Sequence, residues 1–554
     1  MTIGIFSEED YDFPAAQAAL VPGGPARPPL ALWRRVLYGI VGVVLGLSGG
    51  LGNALVAVNL PNLLGSLGAE TNEIAWIPTV YAMTYVSMNL LFVRFRQQFG
   101  LRLFAMGALT FFCVVTFLHI FVRGFGSAIL IHAAAGVATA PFTTLSVYYL
   151  MAALPPKVVY RGVLFGLGIS QIPTPLARVF SSELLAIQQW RSLYEFELGL
   201  GLICLGCVAL LRLPASKKGK VFEQLDLVTY PLIAGGLALV SAVLGLGRYE
   251  WWTDRAWLAW ASVGAVLLLG AGCYIETNRA RPLLDLRWLT GPNLIRFTIV
   301  TLVWRIALAE QSTTVIGLLT TLGVDNDELQ LFSLALVAAS VAGVLASGYL
   351  FTPNRITALG ALAIGLIAIG AFVDAHATNL TRTPQLYVSQ MLIAFSTTLF
   401  IGPALLFGIS FVLREQARTL PSFLVLFVIL QTIGGQLGSA LLGTFQVIRE
   451  KAASVVLYAF VDPTNPIVAD RLGGTAAALG GSVLDPAARS AQALALLHQQ
   501  AAREANVIAF NDTCMLVAAL AAATTLYLAW TIFNHWRRQE PLSSAAMPAP
   551  ERKP

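Results

Sequence analysis

Long runs of apolar residues, each about as long as a bilayer is thick, recur along nearly the whole chain of 554 residues. A transmembrane helix needs roughly 20 consecutive, mostly apolar residues, and the runs leave little room between them for a soluble domain. Charged residues make up 12% of the chain, against about 25% in a soluble globular protein. The mean hydropathy is +0.73. These properties predict an integral membrane protein that lies almost entirely in the membrane.

Charged and turn residues divide the apolar sequence into fourteen predicted transmembrane helices. They are grouped as six helices, a pair, and a further six. The first six lie near 36–60, 74–93, 103–122, 128–152, 160–188 and 193–212, and the pair near 227–247 and 256–276. The last six lie near 293–322, 327–351, 355–375, 385–413, 420–448 and 511–535.

The basic residues of the short loops indicate the orientation, because Lys and Arg accumulate on the cytoplasmic side. Most of the 35 Lys and Arg residues fall on the side of the N-terminus, which predicts that both termini are cytoplasmic. The chain has a formal net charge of +6, but its basic residues form short clusters between apolar runs, so nucleic acid is not an expected partner. The predicted segments are a tail 1–35, a bundle 36–212, a linker 213–292 with two extra helices, a bundle 293–535 with an outer loop 450–510, and a tail 536–554.

The sequence contains none of the motifs of the common enzymes or metal sites. All five cysteines lie in apolar runs, and the "CLGC" of Cys204 and Cys207 lacks the second ligand pair that a zinc site needs. There is no phosphate-binding GxxxxGK[ST] motif and no GxSxG motif. We therefore expect neither an enzyme nor a bound cofactor, and any transport must draw its energy from a gradient, such as that of protons, or from another subunit.

Two apolar runs each carry an arginine and a glutamate five residues apart. "WRIALAEQS" contains Arg305 and Glu310 in the ninth predicted helix, and "ARVFSSELL" contains Arg178 and Glu183 in the fifth. Five residues rotate a helix by about 140° and rise about 7.5 Å, so neither couple shares a face and each charge is expected to meet another helix. One interpretation is a set of interhelical salt bridges. The other is that Arg305 contacts an anionic group of a substrate while Glu310 or Glu183 takes up and releases a proton.

Four stretches in order resemble the fourteen-helix drug:proton antiporters of the major facilitator superfamily, in particular the EmrB-like branch. "LGNALVAVNLP" resembles the motif of the family's first helix, and "GLGRYEWWTD" is similar to the loop between the two extra helices. "RARPLLDLRWLTGPNLIRFTI" resembles the link into the second half, and "LHQQAAREANVIAFNDTCMLVAAL" the approach to the last helix. The resemblance implies the major facilitator fold, an all-α membrane protein with two six-helix bundles plus two extra helices.

The sequence departs from the family's pattern at several charged positions. The acid of the family's first helix falls at Gly52, next to Asn53, and Gln97 replaces the aspartate of the basic loop after the second helix. His132 takes the place of the arginine of the fourth helix, and Arg178 stands where the antiporter motif of the fifth helix has a glycine. The family's coupling residues therefore have no direct counterparts in this chain.

The predicted helices contain other polar residues, most of which have two possible roles. The resemblance places the first, fourth, ninth and twelfth helices around a central cavity, so Asn53 and Asn59 either line it or hold helices together by hydrogen bonds. His132 is either a hydrogen-bonded core residue or a proton relay. Glu195 and Glu197 lie near the outer start of the sixth helix, where a solvated mouth explains them.

Two stretches near the C-terminus suggest structural roles. "GGQLGSALLG" spaces Gly434 and Gly438 four residues apart, which favours close packing of two helices. The outer segment 450–510 contains a predicted helix capped by Asp485, and it is either a spacer or the dock for a partner.

The expected function is secondary active transport of a small molecule, as proton-coupled efflux of amphipathic drugs or aromatic and organic acids by rocker-switch alternating access. The resemblance implies the cell inner membrane as location, the lipid bilayer as surroundings, and a periplasmic adaptor and an outer-membrane channel as partners. An uptake symporter or facilitator for a metabolite acid is an alternative, because the antiporter motif is broken at Arg178. A sensor or scaffold without transport is a third.

Overall fold

The computed structural model is all-helical over the residues that it describes, with no strand among them. Fourteen of its helices are long and apolar enough to cross a membrane, which confirms the predicted number. The structure describes residues 19, 24–28, 30–60, 63, 68, 70–184, 191–214, 216, 218–219, 221–279, 282–352, 355–415, 419–462 and 464–537.

The fourteen spans are numbered α1 to α14 in chain order. In the first half they are α1 Leu32–Val58, α2 Asn72–Phe99, α3 Leu101–His119, α4 Phe125–Ala153, α5 Tyr160–Ser181 and α6 Arg191–Leu210. The extra pair is α7 Asp226–Leu246 and α8 Ala256–Thr277. In the second half they are α9 Pro292–Thr321, α10 Glu328–Leu350, α11 Ile356–Asp374, α12 Thr383–Val412, α13 Leu420–Tyr458 and α14 Pro486–Asn534.

The contacts between helices form two bundles. In the first, α1 packs on α4, α5 and α6, and in the second, α10 and α11 pack on α12 while α13 packs on α9 and α14. The bundles meet mainly where α5 contacts α10 and α12, and where α2 contacts α13. The extra helix α7 packs on α8, on α2 and, less extensively, on α13, so the pair lies against both bundles where α2 meets α13.

In each bundle, a close backbone contact between the second and fourth helices of that half requires a glycine. A Cβ at Gly136 of α4 would lie 2.3 Å from the Tyr81 carbonyl oxygen of α2. A Cβ at Gly343 of α10 would lie at the same distance, 2.3 Å, from the Phe395 carbonyl oxygen of α12. Backbones approach this closely in membranes because small residues remove the side chains between them. The two halves therefore repeat one packing solution.

The outer segment is more helical than the sequence suggests. The predicted cap is confirmed, since the Asp485 carboxylate accepts from the backbone N–H groups of Ala487 (3.2 Å) and Ala488 (3.3 Å). The predicted start of the last helix at 511 is wrong, because one helix runs without a break over Pro486–Arg537. No glycine or proline follows Pro486 in this helix, so no residue in it favours a turn. With Pro466–Ala478 and the end of α13, it forms a helical projection, here called the outer hairpin.

A cluster of buried charges holds the extra pair to α2. Asp226, at the start of α7, forms salt bridges with Arg94 of α2 and with Arg279 at 2.7 Å. Arg279 also binds Glu223 at 2.7 Å and Glu276 at 3.1 Å. Burial alone would lower the pKa of Arg279, but hydrogen bonds and charge from Glu223 and Asp226 raise it above its ordinary value, so the guanidinium stays charged.

The cluster predicts an unequal effect for two nearby arginines. Arg279→Gln leaves Asp226 and Glu276 buried with less compensation, and breaking a buried pair costs roughly 3–5 kcal/mol. Arg287→Gln is the matched control, because Arg287 is exposed. Thermal unfolding in detergent should show a lower midpoint for the first variant alone. Equal midpoints would show that the cluster does not stabilise the fold.

Candidate functional site

A large cavity lies between the two bundles. Its volume is about 1570 Å³, which is more than the roughly 300–1,000 Å³ of an ordinary small-molecule pocket. Side chains of α1, α2, α4 and α5 line it from the first half, and those of α9, α12 and α13 from the second. A ligand bound there would contact both halves at once.

Arg305 of α9 lines this cavity. Two glycines of α13 make room for it, because a Cβ at Gly435 would lie 2.5 Å from Arg305 Nη2, and one at Gly434 would lie 3.1 Å from Arg305 Cβ. At Gly438, the next glycine after this pair, a Cβ would lie 2.9 Å from the Ala309 Cβ. The predicted close packing of the glycine run is confirmed, and the same glycines position the arginine.

Arg178 of α5 lines the same cavity from the other half. It lies just after a break in α5, between Ile169 and Pro173. Within the described part of the chain, neither Arg178 nor Arg305 forms a salt bridge or a side-chain hydrogen bond. The predicted interhelical salt bridges are therefore absent for these two arginines among described residues. The side chain of Glu183 lies outside the described part.

The lining of the cavity carries more positive than negative charge. Among the described residues, its charged members are Arg96, Arg178, Arg248, Arg305, Asp325 and Asp327.

Asn53 lies in α1 and Asn59 directly follows it, and the two side chains have different surroundings. Asn53 lines the cavity, and its buried Oδ1 has no hydrogen-bond partner among the described residues. Asn59 is fully buried, and its Oδ1 accepts hydrogen bonds from Ser181 and from Asn326 Nδ2 at 3.1 Å. Because Asn326 belongs to the second half, Asn59 joins the two halves and Asn53 remains the cavity residue.

His132 lies away from the cavity, in the core of the first bundle. It is buried, its Nδ1 lies 3.0 Å from the Ala128 carbonyl oxygen, and its ring meets that of His119 edge-on at 4.9 Å between centroids. This environment fits the core reading of His132.

Glu310 lies behind the cavity wall rather than on it. It begins a π-helical turn, Glu310–Val315, in the middle of α9, and its side chain is fully buried. Both of its carboxylate oxygens lie 3.3 Å from Gln390 Nε2, and Cys514 Sγ lies 3.6 Å from Oε1. Glu310 therefore does meet other helices, as expected, but through an amide and a thiol and not through a cation.

Two residues of this cluster are not among the candidates predicted from the sequence. Asp374 falls within the eleventh predicted helix, 355–375, and Gln390 within the twelfth, and Gln390 Nε2 donates to Asp374 Oδ2 at 2.7 Å. Ser389 also donates to Asp374. The available signal was an acid and an amide within or at the end of apolar runs, which is unusual in membrane helices.

The reading of Glu197 as part of a solvated mouth is wrong, although Glu195 is exposed. Glu197 is 6% exposed, and a Cβ at Gly52 would lie 1.9 Å from its Oε1. The carboxyl group of Glu197 on α6 thus fills the space beside α1 that a side chain at position 52 would take. Because Gly52 has no side chain, α1 leaves room for this buried acid.

This contact predicts coupled effects on stability. Gly52→Ala should lower the unfolding midpoint, because overpacking costs about 1–3 kcal/mol, and Glu197→Ala in the same chain should recover most of that loss. Gly107→Ala in α3 is the control, since a Cβ there meets nothing within 4 Å. Thermal unfolding of the single and double variants measures the coupling. Additive effects of the two substitutions would rule out the contact.

Comparisons with known proteins agree with this architecture. No protein-family profile matches the chain. A 242-residue stretch is 25% identical to the major facilitator superfamily multidrug transporter mfsC of Aspergillus fumigatus. The match covers 43% of this chain and 45% of that relative, so it spans less than half of either protein.

Solved structures match over most of the chain. The human organic anion transporter MFSD10 (TETRAN) aligns with a TM-score of 0.53 at 13% identity, covering 89% of this chain and 100% of the other. A bacterial homolog of the human lysosomal transporter Spinster aligns with a TM-score of 0.47 at 14% identity, covering 90% and 98%. At such identities the likeness concerns the fold. With its fourteen spans and two bundles, the chain has the fold of the major facilitator superfamily.

Proposed function

We propose that this protein is a secondary transporter, and not an enzyme, that exports amphipathic anions through the central cavity. Drugs and aromatic or organic acids are the substrate class. The observation that carries the proposal is that Arg178 and Arg305 both line the cavity, without a carboxylate partner among the described residues.

An anionic substrate supplies the negatively charged partner that these two arginines lack among the described residues. Placing an arginine at the centre of a membrane helix costs about 2.5–3.5 kcal/mol on insertion scales. A carboxylate or sulfonate offers two oxygens that match the guanidinium fork. Asn53, with its unpartnered Oδ1, adds a polar contact for a hydroxyl or amide of the substrate.

The rest of the lining suits an apolar or aromatic body. Aromatic side chains present large apolar faces that pack on rings. Those that line the cavity include Tyr81, Tyr85, Phe92, Tyr148 and Phe510.

The two arginines belong to different halves, which suits alternating access. Arg178 lies on α5 and Arg305 on α9, so an anion that reaches both arginines binds both bundles. In this fold the halves rock around a midplane site. Closure that brings the two cations together is favoured when an anion lies between them, so the loaded protein closes more easily than the empty one.

The same proposal has four further parts. The transporter lies in the inner membrane with both termini in the cytoplasm, it moves its substrate outward, and it is coupled to protons. Glu310 is the proposed proton carrier. Uptake of a metabolite acid is the competing direction, and binding without transport is the outcome expected of a sensor. Accumulation of the aromatic acid 1-naphthoate in inverted vesicles but not in right-side-out vesicles would support export, and the reverse would favour uptake.

The arginines predict a loss of substrate affinity on neutralisation. A hydrogen bond to a charged group is worth about 1.5–3 kcal/mol, so Arg305→Gln or Arg178→Gln should raise the KM for 1-naphthoate by roughly 10-fold to 100-fold. Arg305→Lys keeps the charge and should lose less. Arg123→Gln is the matched control, because Arg123 is exposed and does not line the cavity. Unchanged transport and resistance in Arg305→Gln for every exported compound would remove Arg305 from the site.

The outer hairpin is the proposed dock for a periplasmic adaptor that leads to an outer-membrane channel. It carries apolar side chains that are strongly exposed: Val455 (73%), Phe460 (70%), Ile467 (78%) and Leu484 (93%). Exposed apolar patches of this kind mark interaction surfaces.

Removing the outer hairpin should abolish export from the cell through the adaptor and leave transport across the inner membrane intact. Replacing residues 460–500 by a short Gly/Ser link should abolish resistance in cells, because the adaptor no longer docks, while inverted vesicles still accumulate 1-naphthoate. A matched variant that changes only Ile467→Ser and Leu484→Ser tests the apolar contact itself. Full resistance in the deletion strain would show that no partner binds there.

A further inference from the structure

We propose that Glu310 and Asp374 share one bound proton, and that this pair is the coupling site, connected to the cavity through Gln311. The coupling role rests on the transport function proposed above. The proton itself does not, because it follows from the surroundings of the two carboxyl groups.

Both carboxyl groups accept from the same amide. Gln390 Nε2 lies 3.3 Å from each oxygen of Glu310 and 2.7 Å from Asp374 Oδ2. The three side chains come from α9, α12 and α11, and all three residues are at most 1% exposed. The pair is therefore assembled by three helices of one bundle and is closed to solvent.

The described surroundings of this pair contain no cation. From α12 they include Ser389 and Gln390, which are neutral, and from α14 Cys514, whose thiol donates to Glu310. The only titratable groups that face the pair are thus its own two acids and Cys514, among described residues. Two unpaired negative charges in such a place repel each other and lose their hydration. One proton on the pair removes the repulsion.

The amide of Gln390 has a free acceptor where a protonated acid can donate. Its Oε1 is buried and has no hydrogen-bond partner among the described residues. Buried polar atoms nearly always find a partner. A carboxylic O–H of Glu310 or Asp374 satisfies this atom, whereas two ionised carboxylates leave it unpaired.

Adjacent residues connect the pair to the cavity. Gln311 lines the cavity, and its Nε2 donates to the Gln390 backbone carbonyl at 3.3 Å. Glu310, one residue earlier, points to the other side. The π-helical turn Glu310–Val315 sets these directions, and π-bulges are frequent at functional sites. A substrate that contacts Gln311 therefore bears directly on the residue that holds both acids.

The coupling step is a single proton transfer. When the pair is closed, one acid is COOH and the other COO⁻. When the bundle opens, the O–H bond breaks, the electron pair stays on the oxygen, and the proton goes to water on the side to which the site has opened. Substrate binding at Gln311 and proton release from Glu310 or Asp374 then influence each other through Gln390, which contacts Gln311 and both acids.

Infrared titration of the protein in nanodiscs tests the proton without any substrate. The carboxylic C=O band should lose one component in Glu310→Gln, the same component in Asp374→Asn, and no more in the double variant, because the proton is shared. Glu195→Gln, at an exposed acid, should change nothing, and Glu197→Gln, at a buried acid of the other half, should leave the component of the pair in place. Additive losses for Glu310 and Asp374, or no loss, would overturn the proposal, as would a component that disappears on exchange of K⁺ for Na⁺.

Transport of 1-naphthoate tests the coupling role. Gln311→Leu should keep the infrared component and the exchange of 1-naphthoate across the membrane, but lower gradient-driven accumulation about 10-fold or more. Gln311→Glu, which keeps the chain length but cannot donate when ionised, should behave alike. Normal accumulation in both variants would overturn the role of Gln311. If the wild type moves no 1-naphthoate, the transport proposal fails while the infrared result still decides on the proton.

Discussion

The free energy cost of a charge in the lipid bilayer governs the arrangement of this molecule. Each ionisable group inside the membrane must find an opposite charge, give up its own charge, or face water or a ligand. The cluster around Asp226 and Arg279 takes the first course at the edge of the extra pair. Glu310 and Asp374 fit the second. Arg178 and Arg305 take the third, because both face the cavity.

Acids from distant parts of the chain contact α1 and α2. The carboxyl group of Glu197, on α6, fills the space that a side chain at Gly52 of α1 would take. Arg94 of α2 forms a salt bridge with Asp226 at the start of α7. Each contact joins residues that are far apart in the sequence, so no local motif contains both partners.

The sequence predicted features that depend on neighbours along the chain. The apolar runs gave the number of spans, Asp485 gave the helix start, and the glycine run gave the contact at Gly438. Burying a charge in an apolar run is costly, which predicted that Arg305 faces a cavity or another helix, and Arg305 does line the cavity. The sequence failed where partners come from distant helices: nothing near Glu310 announces Gln390 or Asp374, and only the packing of α9, α11 and α12 brings them together. The same holds for Glu197 and Gly52.

Each half has at least one arginine on the cavity and at least one buried acid that does not line it. The first half has Arg178 and Glu197, and the second has Arg305 and Glu310. The acids differ, since Glu310 shares an amide with a second carboxyl group while Glu197 forms no hydrogen bond among the described residues. In the mechanism proposed above, only the second half connects its acids to the cavity, through Gln311 and the Gln390 backbone carbonyl, so coupling belongs to that half. The first half then needs only to hold the substrate and to rock against the second.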